Sequence, residues 1–179
     1  MPRLFALILC LLIPALAAAE DRPRAGLLWN ASDLPATFPL QVKSLPGRDH
    51  VVYLTDPDSG DPVMAGYIRG GEFFRMLVPP GTWRLRFAHG RGWQGEVGLF
   101  GPGTEWTEME EVLDFHIIGR DRRRAYIVTL TEENGRIKIV DAAPRMECQM
   151  ILWDAPGDWS EAWPEWRLPG FRLFKRLCG

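Results

Sequence analysis

From residue 40 to residue 140 the chain is a series of short runs, rich in β-formers and each cut off by a turn signal, and this punctuation constrains the fold more than any other feature. TWRLRFA is the clearest run: Trp83, Leu85 and Phe87 fall on one face and Thr82, Arg84 and Arg86 on the other, the pattern of a half-buried strand. Before it, QVKSL, HVVYLTD, PVMAGYIRG and EFFRMLV read as further strands. The breaks between them have physical causes. In DPDSGDP, Pro57 fixes φ, the Asp side chains hydrogen-bond nearby backbone and Gly60 accepts positive φ. Pro79-Pro80-Gly81 cannot continue a ladder. Farther on, VLDFHIIG, AYIVTLT and RIKIV read as strands, with RDRRR as a charged turn and Asn134-Gly135 as a hairpin signal. No sustained helical period occurs before residue 145. The expected fold is all-β, a small antiparallel β-sandwich of about seven to nine strands.

The two ends differ from this centre. Residues 1–19 have a basic start at Arg3, an apolar run from Leu4 to Ile13, Pro14 and the small tail Ala17-Ala18-Ala19, the layout of a secretory signal peptide cleaved after Ala19. Residues 20–39 read as an extended lead-in, 40–143 as the sandwich, and 144–179 as an irregular Trp-rich extension carrying Trp153, Trp159, Trp163 and Trp166 among several prolines. Asp158 to Glu161 has the form of a capping box, but Pro164 limits a helix there to about one turn. Export makes the two remaining cysteines, Cys148 and Cys178, a disulfide that tethers the extension. The formal net charge of −2 argues against nucleic acid as a partner. The basic end FRLFKRLCG offers membrane contact, but packing of the tryptophans onto the sandwich is the favoured reading.

The segment GWQGEVGLFGPGTEW interrupts the strand pattern. Its glycines permit a tight bend, and its aromatics either plug the open end of the sandwich or form a ligand site in which Trp93, Phe100 and Trp106 stack and Glu96 orients a hydroxyl. A packed corner is the expectation, and ligand binding the alternative. Asp56, Asp58 and Asp61 are out of register for a calcium loop and read as a turn. Glu105, Glu108, Glu110, Glu111 and Asp114 read as a solvated acidic loop rather than a paired-carboxylate site. His50, His89 and His116 have no metal-ligand spacing, and His89 reads as a turn residue. Arg120, Arg122, Arg123 and Arg124 read as a solvated hairpin tip.

The stretch LTDPDSGDPVMAGYIRGGEFFRMLVPPGTWRLRFAHG resembles the short β-sandwich modules of the carboxypeptidase-regulatory or PEGA kind, which share its D-x-x-x-G-x-P-V turn and V-P-P-G-x-[YW]-x-L-R strand. The continuation resembles uncharacterised bacterial exported proteins with a W-x-G-E-x-x-L-F-G-P-x-T motif. The resemblance implies a binding, structural or spacer domain and carries over no catalytic residue. With no nucleophile elbow or metalloprotease motif in the chain, the expectation is a periplasmic or secreted, non-enzymatic binding or interaction module of the bacterial envelope, without metal or cofactor. Its partner would be a protein or a glycan. The alternatives are a carbohydrate-binding module using Trp93 and Trp106, and a hydrolase with a site between the corner and the tail.

Overall fold

Alternating runs make strands that each need a partner sheet for their apolar side, and the chain answers with two facing sheets. The computed structural model describes residues 22–119, 121–153 and 171–178, with the backbone alone for 149–153 and 171–177. Its strands are β1 (Gly26–Asn30), β2 (Phe38–Lys43), β3 (Asp49–Thr55), β4 (Pro62–Ile68), β5 (Phe74–Val78), β6 (Gly81–Gly90), β7 (Glu105–Phe115), the short β8 (Ile117–Ile118), β9 (Arg122–Glu133), β10 (Arg136–Trp153) and β11 (Phe171–Leu177). A single helical turn, α1 (Gly95–Gly98), lies between β6 and β7.

One sheet has the order β1-β4-β3-β6-β7 and the other β11-β10-β9-β2-β5, with β8 beside β9. All pairs are antiparallel except β2 with β9, which run parallel. This is an all-β sandwich that does not close into a barrel. The main core lies between the sheets and includes Leu40 and Val42 of β2, Val52 and Leu54 of β3, Leu85 and Phe87 of β6, and Val128 of β9.

The turn chemistry acts as the residue types dictate. Asp56 Oδ1 accepts hydrogen bonds from the backbone N–H of Asp58 and of Ser59, both at 2.9 Å, so this carboxylate is committed to the turn. At the β9–β10 hairpin, Asn134 and Gly135 both take positive φ, 52° and 80°, as a type I′ turn requires.

Several boundaries differ from the sequence reading. The lead-in contributes β1, which pairs with β4. The acidic run is a strand, β7, rather than a solvated loop: Met109, Leu113 and Phe115 are buried, and this outweighs the charge of the residues between them. Its pairing with β6 slips, Arg84 standing opposite Val112 but Arg86 opposite Glu108, and the resulting bulge leaves Glu110 and Glu111 exposed. Arg122, Arg123 and Arg124 belong to β9, and Arg123 donates to the Thr37 carbonyl at 3.0 Å. Among the described residues beyond 143, β10 runs on to Trp153 and β11 pairs back along it from Phe171 to Leu177. The Cys148–Cys178 disulfide joins these two strands, with Cα atoms 5.3 Å apart. The signal-peptide segment, Arg120 and the tail residues Trp159, Trp163 and Trp166 lie outside the described residues.

Candidate functional site

The outer face of the five-stranded sheet is built from cross-strand rows that the register fixes. One row runs Trp29, Ala65, Tyr53, Arg86, Glu108 across β1, β4, β3, β6 and β7. The next runs Tyr67, Val51, Ala88, Trp106 across β4, β3, β6 and β7. Ala65, having no bulk, leaves room for Trp29 and Tyr53 to approach, their ring centroids 6.3 Å apart. Tyr53 and Trp106 lie 5.8 Å apart across the diagonal, and the Arg86 guanidinium sits 4.1 Å from the Trp106 ring centroid. Trp29 and Tyr53 are half-buried, and Trp106 is 45% exposed.

The glycine-rich corner covers the other half of this face. After β6 the chain turns at Gly92 (φ 73°), forms α1 and returns, with the Gln94 N–H donating to the Leu99 carbonyl at 2.7 Å and the Leu99 N–H to the Gly95 carbonyl at 2.8 Å. Trp93 and Phe100 are folded under it, 5% and 4% exposed. Trp93 packs edge-on against Tyr67, with centroids 4.9 Å apart, and against Phe100 at 5.6 Å. Together with Val51, Ala65, Ala88 and Leu99 they form a second core outside the sandwich. Gly90 is required here: a Cβ at that position would stand 2.2 Å from the Phe100 Cβ. Thr104 locks the return, since its Oγ1 accepts from the Phe100 N–H at 3.1 Å and donates to the Gly101 carbonyl at 2.8 Å.

The four residues singled out from the sequence are therefore divided. Trp93 and Phe100 are the plug, while Glu96 and Trp106 are on the surface. Tyr53 connects them: burial raises its phenol pKa, the nearby Glu96 carboxylate raises it further, and Arg86 opposes both. The phenol is a neutral hydroxyl at ordinary pH. Tyr53, Trp29 and Arg86 were not singled out as site residues. Alternation places Tyr53 and Arg86 on the outer sides of their strands, but only register shows that they meet.

Beneath this face a polar node fixes the sheet to the chain before β1. Asp49 accepts from Arg22 Nε and Nη2, both at 2.6 Å, from the Tyr67 hydroxyl at 2.6 Å and from the Gly70 N–H at 3.0 Å. Burial alone would raise the Asp49 pKa, yet these donors, led by Arg22, hold it below the usual carboxylate value.

On the inner side of the same strands lies a buried pair that the sequence reading missed. His89 is not a turn residue. It is the cross-strand partner of His50, and the two Nδ1 atoms are 2.8 Å apart. One ring donates its Nδ1–H to the bare Nδ1 of the other, and neither Nε2 has a hydrogen-bond partner. Burial lowers the His50 pKa to about 4, Arg48 adding to the effect and Asp49 opposing it. Burial, then His50 and Arg48, lowers that of His89 to about 3. Arg48 closes this end of the sandwich through Glu105 at 2.8 Å, the Gly135 carbonyl at 3.0 Å and Glu132 at 3.7 Å.

Two further observations bear on chemistry. Glu108, Glu110 and Glu111 line one side of an open groove of about 510 Å³, with Ile139, Val140, Asp141 and Ala142 on the other. Among the described residues no three His, Cys, Asp or Glu side chains converge as a metal site. No family model, curated protein or solved structure matches the chain.

Proposed function

We propose that this chain is an exported, non-enzymatic binding module of the bacterial envelope, and that the Trp29–Tyr53–Trp106 face of the five-stranded sheet is its contact surface. The carboxypeptidase-regulatory or PEGA-like motif pattern and the leader at residues 1–19 support the setting. The observation that carries the reading is the row itself. Large aromatics are ordinarily spent on cores, as Trp93 and Phe100 are here, whereas Trp106 is kept 45% exposed beside Tyr53 and under a charged group.

Co-sedimentation with isolated envelope fragments tests the reading. The wild-type protein should be retained; Trp106→Ala should lose retention while keeping the melting temperature of the parent, and Trp29→Ala, whose ring also packs against the second core, should lose retention while still folded below a lowered melting temperature. Phe73→Ala, which removes a ring 74% exposed beyond the edge strand β5 of the opposite sheet, should be retained like the wild type. Equal retention of all four proteins, or of none, would sink the proposal.

A further inference from the structure

We infer that the ligand of this face is a neutral oligosaccharide, laid across the strands over Trp106, Tyr53 and Trp29; the inference rests on the reading of the face as a contact surface. The first argument is what a sheet face lacks. β3 is paired with both β4 and β6, and β6 with both β3 and β7, so the backbone groups there are spent within the sheet. An extended peptide docks by pairing with a free strand edge, and the edges of this sheet, on β1 and β7, lie at its two margins rather than across the rings. Recognition across β4, β3 and β6 must come from side chains alone, and these are rings.

The second argument is the amphipathic character of what the rings would meet. A sugar ring has an apolar C–H face and a rim of hydroxyls, so it needs a flat apolar surface with donors and acceptors beside it. The face supplies both: indole and phenol rings, with the Arg86 guanidinium, the Glu96 and Glu108 carboxylates and the Tyr53 hydroxyl around them. The rings step by 6.3 and 5.8 Å, on the scale of one sugar unit. Their planes are inclined to one another by 52° and 33°, which suits a single twisting chain more than a flat crystalline surface.

The third argument is charge. Arg86 already lies against the Trp106 ring and Arg84 stands 3.8 Å from Glu108, so with Glu96 the two cations of this face are matched by two carboxylates. A phosphate backbone, a polyuronate or an anionic membrane surface finds no positive excess to hold it here, and the net charge of −2 supplies none. The hydroxyls of a neutral glycan suit both signs.

The test is a tryptophan-emission titration of the full exported chain with chitohexaose, with cellohexaose and with polygalacturonate, alongside competition of envelope retention by the free oligosaccharides. A saturable emission change is expected with at least one of the two neutral probes, none with polygalacturonate, and competition by the same probe. Trp106→Ala and Trp29→Ala should each weaken that binding by roughly tenfold or more, while Phe73→Ala should leave it unchanged. Suppose instead that retention depends on Trp106 but is competed by neither neutral probe and is abolished by protease treatment of the envelope. The glycan inference is then overturned, and the face remains a contact surface for a protein. Tighter binding of polygalacturonate than of both neutral probes overturns it as well. Retention that ignores Trp106 overturns the contact-surface reading, and this inference with it.

Discussion

Acidification should destabilise this protein through His50 and His89 well before its carboxylates titrate. Both imidazoles are neutral and buried in the folded state, with pKa values lowered to about 4 and about 3, whereas an unfolded chain protonates them near the ordinary imidazole value of 6.5. The stability they confer is therefore fully present above pH 6.5 and is lost as the pH falls from there toward the folded values. Between about pH 7 and about pH 5 each histidine costs about 2 kcal/mol, so the pair removes about 4 kcal/mol. Asp49 acts in a different window. Its folded pKa is lowered from 3.8, so its contribution is present above that value and disappears only as the pH falls through the lower one. The assay is urea unfolding at the two pH values for the wild type and for the double variant His50→Leu/His89→Leu, which removes both titrating groups and both unpartnered Nε2 atoms. Because neither replacement strands a polar partner, the variant should be no less stable than the wild type at neutral pH. It should also lose about 4 kcal/mol less on acidification. A difference in acid sensitivity between the two proteins below about 1 kcal/mol would refute the reasoning.

Other perturbations follow from single contacts. Gly90→Ala forces a methyl group to within 2.2 Å of the Phe100 Cβ and should cost about 2–3 kcal/mol, with a red shift of tryptophan emission as the Trp93 plug is unseated; a thermal melt and spectrum like the parent's would contradict this. Tyr67→Phe removes the hydroxyl that donates to Asp49 at 2.6 Å and should cost about 1.5–2 kcal/mol in urea unfolding, whereas a neutral effect would mean that Arg22 and Gly70 satisfy the carboxylate alone. Reducing the Cys148–Cys178 bridge, or replacing both cysteines by serine, should cost about 3–4 kcal/mol by the chain-entropy relation, and two alkylatable thiols in the protein purified without reductant would show that the bridge does not form. Intact mass of the protein expressed from the full sequence in a bacterial host should correspond to a chain beginning at Glu20, and a mass that retains residues 1–19 would refute cleavage.

The strands of the centre were legible because their causes are local. Alternation in TWRLRFA, the Asx turn at Asp56 and the Asn134-Gly135 hairpin each depend on a few adjacent residues, and the structure places all three as their chemistry requires. The acidic run was misread for the complementary reason. Its charges dominate a short window, while the residues that make it a strand, Met109, Leu113 and Phe115, are spaced by a bulge that depends on β6. Strands β1 of the lead-in and β11 of the extension were missed likewise, because each is held by pairing with a strand distant in sequence.

The site shows the same division more severely. Trp93, Glu96, Phe100 and Trp106 stood out because they share one glycine-rich segment, yet the chain sends two of them under the surface and two onto it. What sorts them is Gly90, whose missing Cβ lets Phe100 lie against the sheet, and that contact is invisible without the return of the chain. Trp29, Tyr53 and Arg86 are separated from Trp106 by up to six intervening turns or loops, and only the order β1-β4-β3-β6-β7 makes them neighbours. The histidine pair could have been found halfway. His50 has the parity of Val52 and Leu54, and His89 that of Leu85 and Phe87, so alternation alone puts both rings on the apolar side. Their contact needs one further fact, the antiparallel register that sets His50 opposite His89. That register links the two faces of the sheet: the pairing of β3 with β6 that buries the titrating pair inside also sets Tyr53 opposite Arg86 outside, so acid that loosens the inner pair should loosen the aromatic row with it.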